Sequence, residues 1–240
     1  MSHADLAAIC SAAYDGLPPP WVEISGIFAK GPKCFVSDGD PAVVVFVGTD
    51  DLLDMLADAA AILVPHDKWG LVHAGFATWS AILREAIWRT VGGRKVIATG
   101  HSMGGSLAAL LASDRPEQIQ SVVTFGSACP GDGGFAQGYA KAGLRDKTHH
   151  YALNLDPVPW TPPSRWGYVP HAPRCWILPT GIKGAIKTFW GYLRTAIKVL
   201  NPVNWRKGGV TRSMLSDAYL ADHDPDAYAA ALKVVWHSDL

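Results

Sequence analysis

Charge is scarce in this chain. Only 18% of its 240 residues are Asp, Glu, Lys or Arg, and 21 basic residues are matched by 21 acidic ones. A chain so balanced has no bulk positive field, which excludes nucleic acid as a partner held by charge. Long apolar runs are missing too: nothing approaches the roughly 18 uninterrupted apolar residues of a spanning helix. Met1-Ser2-His3-Ala4-Asp5-Leu6 lacks the basic and apolar regions of a secretory signal. The expectation is a protein that stays in the cell or leaves by a signal-independent route. Cysteines are few (Cys10, Cys34, Cys129 and Cys175), and no two are spaced as a zinc pair. Four buried thiols are expected, with one or two disulfides left open should the protein be exported. No internal repeat and no low-complexity tract is visible.

What is present is apolar. Hydrophobic residues make up 49% of the chain and ten residues are Trp, which excludes global disorder. The zero net charge is also uneven. Residues 180–212 carry Lys183, Lys187, Arg194, Lys198, Arg206, Lys207 and Arg212 with no acid, so the remainder is net negative. Such asymmetry suggests a surface that meets something anionic.

The apolar pattern alternates strands with helices. Helices are expected at Ala4–Tyr14, Asp50–Leu63, Phe76–Val91, Met103–Ala112, Ile182–Leu200 and Asp226–Trp236. Phe76, Trp79, Ile82, Leu83, Ala86 and Ile87 form the apolar face of the third. Strands are expected at Trp21–Phe28, Cys34–Ser37, Ala42–Val47, Lys95–Thr99, Val122–Phe125, His149–Leu155 and Arg174–Leu178. The run Ala42-Val43-Val44-Val45-Phe46-Val47 suits a strand buried on both faces. The fold class is therefore α/β with a mostly parallel sheet, read as one domain over residues 1–240 with an amphipathic insertion at about 180–212.

One motif carries chemistry. Gly100-His101-Ser102-Met103-Gly104 is Gly-x-Ser-x-Gly between a β-branched strand and an apolar helix. The chain turns sharply there, and side chains two residues either side of the serine would collide, so glycines stand in those places. Backbone N–H groups at the helix start then face an oxyanion forming on the serine's substrate. A nucleophilic serine needs a base, and the base an orienting carboxylate. Asp156 closes a strand and precedes Pro157-Val158-Pro159, with Asp132 and Asp146 as weaker rivals. His223 lies in a loop before the last helix. His149, His150, His171 and His237 compete less well by chain order.

These residues resemble the class 3 lipases of the α/β-hydrolase fold, which include fungal triacylglycerol lipases and feruloyl esterases. Phe46-Val47-Gly48-Thr49 followed by Asp54 and Asp58 is similar to the family's oxyanion strand and lid entry. Val72-His73-Ala74-Gly75-Phe76, the elbow, and Asn154-Leu155-Asp156-Pro157-Val158-Pro159 follow in the family's order. Asp222-His223 with Tyr228 is a weaker fifth match. The resemblance implies Ser102 as nucleophile, Asp156 as orienter and His223 as base. It implies an oxyanion hole from the Thr49 and Met103 N–H groups, and structural roles for His73 and His101. It calls for no metal and no cofactor. Val47 and Met55 depart from the family's usual Arg and aromatic, a difference that bears on the lid.

Two segments then suggest lipid. Leu52, Leu53, Met55, Leu56, Ile62 and Leu63 are more apolar than a free surface helix needs, and suit a lid over the substrate groove. Ile182–Leu200 sets Phe189 and Trp190 on an apolar arc beside a flank of Lys183, Lys187, Arg194 and Lys198, a pattern suited to a peripheral membrane or lipid-interface contact. The expected activity is a carboxylic ester hydrolase acting on acylglycerol or phospholipid esters. Open alternatives are a soluble esterase on short acyl or aryl esters and a membrane-damaging, phospholipase-type effector.

Overall fold

The computed structural model describes residues 1–26, 31–49, 62–153, 156–177 and 223–237. In chain order these form α1 (His3–Ala12), β1 (Val22–Ser25), β2 (Lys33–Val36), β3 (Ala42–Phe46), β4 (Leu63–Pro65), β5 (Leu71–His73), α2 (Ala74–Val91), β6 (Val96–His101), α3 (Met103–Asp114), β7 (Ile119–Phe125), β8 (Gly131–Asp132), α4 (Gly133–Lys141), β9 (Thr148–Leu153), β10 (Tyr168–Val169), β11 (Arg174–Ile177) and α5 (Pro225–His237).

The main sheet has seven strands in the order β1-β2-β3-β6-β7-β9-β11. From β3 to β11 every pairing is parallel, while β1 and β2 join antiparallel at one edge. Burial on both faces explains the β-branched composition. Cys34, Val36, Val44, Phe46, Val96, Ala98 and Val122 share one core with the buried faces of α2, α3 and α4. Their neighbours Phe35, Val43, Val45, Ile97, Val123 and Phe125 share the opposite core with α1 and α5. Alternate side chains of each strand thus point to opposite, equally apolar sides.

A second sheet, β10-β8-β5-β4, is small and antiparallel. The sequence pattern missed it, because strands of two or three residues carry no readable alternation. The expected helix over Asp50–Leu63 is corrected at its end: Leu63 pairs with His73 across the β4–β5 hairpin. Ile62 precedes it, outside any helix and 56% exposed. The lid residues Leu52, Leu53, Met55 and Leu56, and the stretch Ile182–Leu200, lie outside the described residues. Helix α4 was missed as well, since Gly133, Gly134 and Gly138 obscure its period.

Helix α2 buries Phe76, Leu83, Ile87, Trp88 and Val91, whereas Ile82 is exposed. The expected stripe is therefore rotated toward Trp88. Its indole N–H donates to Asp114 Oδ2 at 2.6 Å, and Arg115 lies over its ring at 4.8 Å. Three cysteines are buried free thiols, but Cys175 is exposed, against expectation. It sits on edge strand β11, whose neighbour Trp176 is exposed too. Among the described residues no helix is long and apolar enough to cross a membrane.

Candidate active site

The parallel register aligns the strand ends from which the site is built. Phe46 of β3 pairs with Gly100 of β6, and Gly100 pairs with Thr124 of β7. The loop to Thr49, the turn at Ser102 and the loop to Asp156 therefore leave the sheet at the carboxyl ends of its strands, where open α/β sheets hold their ligands.

Ser102 follows β6 and starts α3. Its backbone stands at φ 60, ψ −130, and it is the one described non-glycine residue with positive φ. A side chain there is strained, and such strain survives only where the surroundings impose it. The surroundings here are tight. A Cβ on Gly104 would lie 2.3 Å from the Phe46 carbonyl oxygen, and one on Gly100 would lie 2.3 Å from the Gly104 carbonyl carbon. The two glycines let α3 descend onto β3 and β6. The Ser102 N–H donates to the Phe125 carbonyl at 2.9 Å, which anchors the turn to β7. Met103 is the first residue of α3, so its N–H has no partner within the helix. Thr49 is partly exposed in the loop after β3.

Asp156 and His223, 67 residues apart in sequence, are hydrogen-bonded. His223 Nδ1 lies 2.8 Å from Asp156 Oδ2. The carboxyl group is fully buried and accepts two further hydrogen bonds. The Tyr228 hydroxyl donates to Oδ2 at 2.6 Å, and the Val158 N–H donates to Oδ1 at 2.8 Å. The Tyr228 oxygen in turn accepts from the Leu153 N–H at 2.8 Å. Tyr228 lies on the buried face of α5, and so ties that helix to the end of β9. With Nδ1–H committed to the carboxylate, His223 Nε2 carries the free lone pair. Nε2 of His223 and Oγ of Ser102 are both buried, with no hydrogen-bond partner among the described atoms.

His101, beside Ser102, packs against His223 with ring centroids 4.5 Å apart and the rings tilted by 36°. Its Nδ1 pairs with the Tyr14 hydroxyl at 2.9 Å. Burial holds its pKa well below the ordinary value, and the neighbouring His223 adds to the effect. His101 is thus a neutral wall behind His223. Gly126, at φ 56, closes the other side: a Cβ there would lie 2.6 Å from Asp156 Oδ2 and 3.0 Å from His223 Nδ1.

The rival residues stand elsewhere. Asp132 caps α4 through the Phe135 N–H at 2.8 Å and also accepts from the Leu71 N–H. Asp146 is exposed in a short 3-10 turn. His149 is exposed beside His3, while His150 and His171 are buried against each other. His237 ends α5 and its side chain is outside those described. His73 caps α2, its Nδ1 accepting from the Gly75 N–H at 3.1 Å. Tyr14, Gly126 and the bonding role of Tyr228 escaped the sequence reading. Only Tyr228 left a signal, as a polar aromatic on the apolar arc of a helix.

A family model described as lipase (class 3) matches residues 43–166, slightly more than half of the chain. The chain belongs to the class 3 lipase family. Among its curated relatives is the secreted mono- and diacylglycerol lipase LIP4 of Malassezia restricta, 26% identical over 192 residues. That match takes in 72% of this chain and 62% of the relative, so the chain spans about three fifths of its length. Similar solved structures include the triacylglyceride lipase of Rhizomucor miehei, at TM-score 0.60 and 20% identity over 73% of this chain and 78% of that one. Lipase II of Rhizopus niveus matches at TM-score 0.60 and 21% identity, over 73% and 79%. The mono- and diacylglycerol lipase of Aspergillus oryzae matches at 0.56 and 22%, over 67% and 64%. The fold is thus the α/β-hydrolase fold. Among the described residues no group of three or more His, Cys, Asp or Glu is arranged to hold a metal ion.

Proposed function

We propose that this class 3 lipase hydrolyses acylglycerol esters through an acyl-serine intermediate, with Ser102 as nucleophile, His223 as base and Asp156 as orienter. The carrying observation is the 2.8 Å bond between Asp156 and His223, which leaves the buried Nε2 free, together with a buried elbow serine held in a strained turn. His223 Nε2 takes the Ser102 proton as Oγ attacks the ester carbonyl. The N–H groups of Thr49 and Met103 hold the oxyanion. His223 then gives its proton to the leaving alcohol, and a water repeats the two steps to release the acid. Asp156 keeps the imidazole in the tautomer that this exchange needs. The acylglycerol preference rests on the family and on the mono- and diacylglycerol lipase it matches.

Ile182–Leu200 is proposed as a lipid-interface contact, on its apolar arc and basic flank alone. Leu52, Leu53, Met55 and Leu56 are proposed as lid residues on the same kind of ground.

A serine-directed fluorophosphonate tests the chemistry. It is expected to label Ser102, and hydrolysis of p-nitrophenyl esters is expected to rise with acyl length and with added vesicles. Absence of labelling in both buffer and detergent would falsify the catalytic assignment. A rate indifferent to vesicles and highest on acetate would instead favour a soluble esterase.

A further inference from the structure

A second cluster of buried polar groups lies away from Ser102, and the mechanism does not use it. His171 and His150 stack with ring centroids 5.8 Å apart, at 2% and 1% exposure. All four of their ring nitrogens lack a hydrogen-bond partner among the described atoms, as does Arg174 Nε. Buried polar atoms are nearly always paired, so five orphans in one place point to a missing partner. Burial holds both histidines below the ordinary imidazole range, His171 down to about 4. Each neutral ring therefore offers one N–H.

His171 and Arg174 line an open cleft of about 580 Å³ between α4 and the loop leading into β11. One wall is aromatic. Trp160 and Trp176 stack at 5.6 Å, both substantially exposed, and the Arg174 guanidinium lies 4.2 Å over the Trp160 ring. Among the described residues Arg174 has no carboxylate partner. Its Nη2 donates to the Pro159 carbonyl and, at 3.9 Å, to Cys129 Sγ, while Nε has no partner among the described atoms. Arg145 stands at the rim.

We propose that this cleft binds a carboxylate carrying an apolar tail, with the head on Arg174 and His171 and the tail along Trp160 and Trp176. A planar guanidinium matches a carboxylate, and neutral N–H donors complete its shell. The stacked indoles would otherwise present apolar surface to water, and an acyl or aryl tail removes it. Acids released by ester hydrolysis belong to the same chemical class, although the site does not rest on the hydrolase reading.

The test is direct binding to the full chain carrying Ser102→Ala, followed by tryptophan fluorescence and hydrogen exchange. The probes are sodium octanoate, 1-octanol and inorganic phosphate. Octanoate is expected to bind saturably and to slow exchange in residues 157–177 and 133–141. Arg174→Gln and Trp176→Ala are each expected to weaken it roughly tenfold or more, as loss of a charge-assisted bond or an aromatic wall does. Trp176 is 44% exposed, so its replacement leaves the core intact. Equal binding of octanol would overturn the proposal by removing the need for the anion. Full competition by phosphate would overturn it in favour of a simple anion site. Protection confined to the Ser102 region, or no saturable binding, would leave ordered water as the partner of these nitrogens. None of these outcomes depends on esterase activity.

Discussion

His223 and His171 are both buried and both pack against a second imidazole, yet their surroundings differ in one respect. His223 is gripped by Asp156, which Tyr228 and the Val158 N–H hold in turn. His171 has no hydrogen-bond partner among the described atoms; its neighbours are the His150 ring, Tyr139 edge-on at 5.1 Å and Arg174. A carboxylate on one nitrogen fixes a tautomer, an orientation and a reactive lone pair. Ring packing fixes the plane and leaves both nitrogens to be claimed by something else. The first arrangement suits proton transfer, and the second suits binding. The same residue type therefore serves two ends according to whether the fold supplies the partner.

The largest effects should come from breaking the first cluster. Ser102→Ala is expected to lower kcat by roughly a million-fold, the scale seen when a triad nucleophile is removed. Asp156→Asn should cost about ten thousand-fold, because an amide leaves the imidazole in the wrong tautomer. Steady-state hydrolysis of a soluble ester measures both, and a residual rate within tenfold of the parent for either would remove that residue from the mechanism.

Tyr228→Phe probes the support rather than the chemistry. It leaves Asp156 with one donor fewer and orphans the Leu153 N–H, both in a buried setting. The expected loss is about 2–4 kcal/mol of stability together with a roughly 10-fold to 100-fold fall in kcat, with KM little changed. A variant that melts earlier but keeps its kcat would show Tyr228 to be a strap for α5 and nothing more.

The contrast also marks where sequence reading works. The elbow was legible because its constraint is local: strand, tight turn and helix follow one another, and steric crowding names the glycines. Asp156 and His223 were legible from chain order and strand-end position. Tyr14 and Gly126 were not, because each acts across the fold. Tyr14 reaches His101 from 87 residues away. Gly126 matters for what lies opposite it. The second cluster was passed over for a related reason. His150 and His171 were weighed only as bases, and neither their spacing nor that of Trp160 and Trp176 announces a cleft built from α4, β9 and β11. The small sheet escaped because its strands are shorter than any readable period.

The smallest predicted effect separates the two clusters by pH. His150 and His171 are held below the ordinary imidazole value of 6.5 by burial and by Arg174, and His150 by His171 as well, with His171 at about 4. The unfolded chain binds protons at these positions near pH 6.5, whereas the folded chain does not. The stability they support is therefore complete above about pH 6.5 and is lost as pH falls toward 4. Each contributes a slope of at most about 1.4 kcal/mol per pH unit over that window. Buried His101 and His73 act with the same sign, so the parent protein's slope is steeper than this pair alone would give. The informative quantity is consequently a difference. His171→Gln cannot take up the proton in either state, and urea midpoints at pH 7, 6 and 5 should show the parent slope reduced by about one proton's worth. The glutamine lowers stability at every pH, but that offset does not alter the slope. An unchanged slope would mean that His171 is protonated where it stands, and so already has the partner that its surroundings lack.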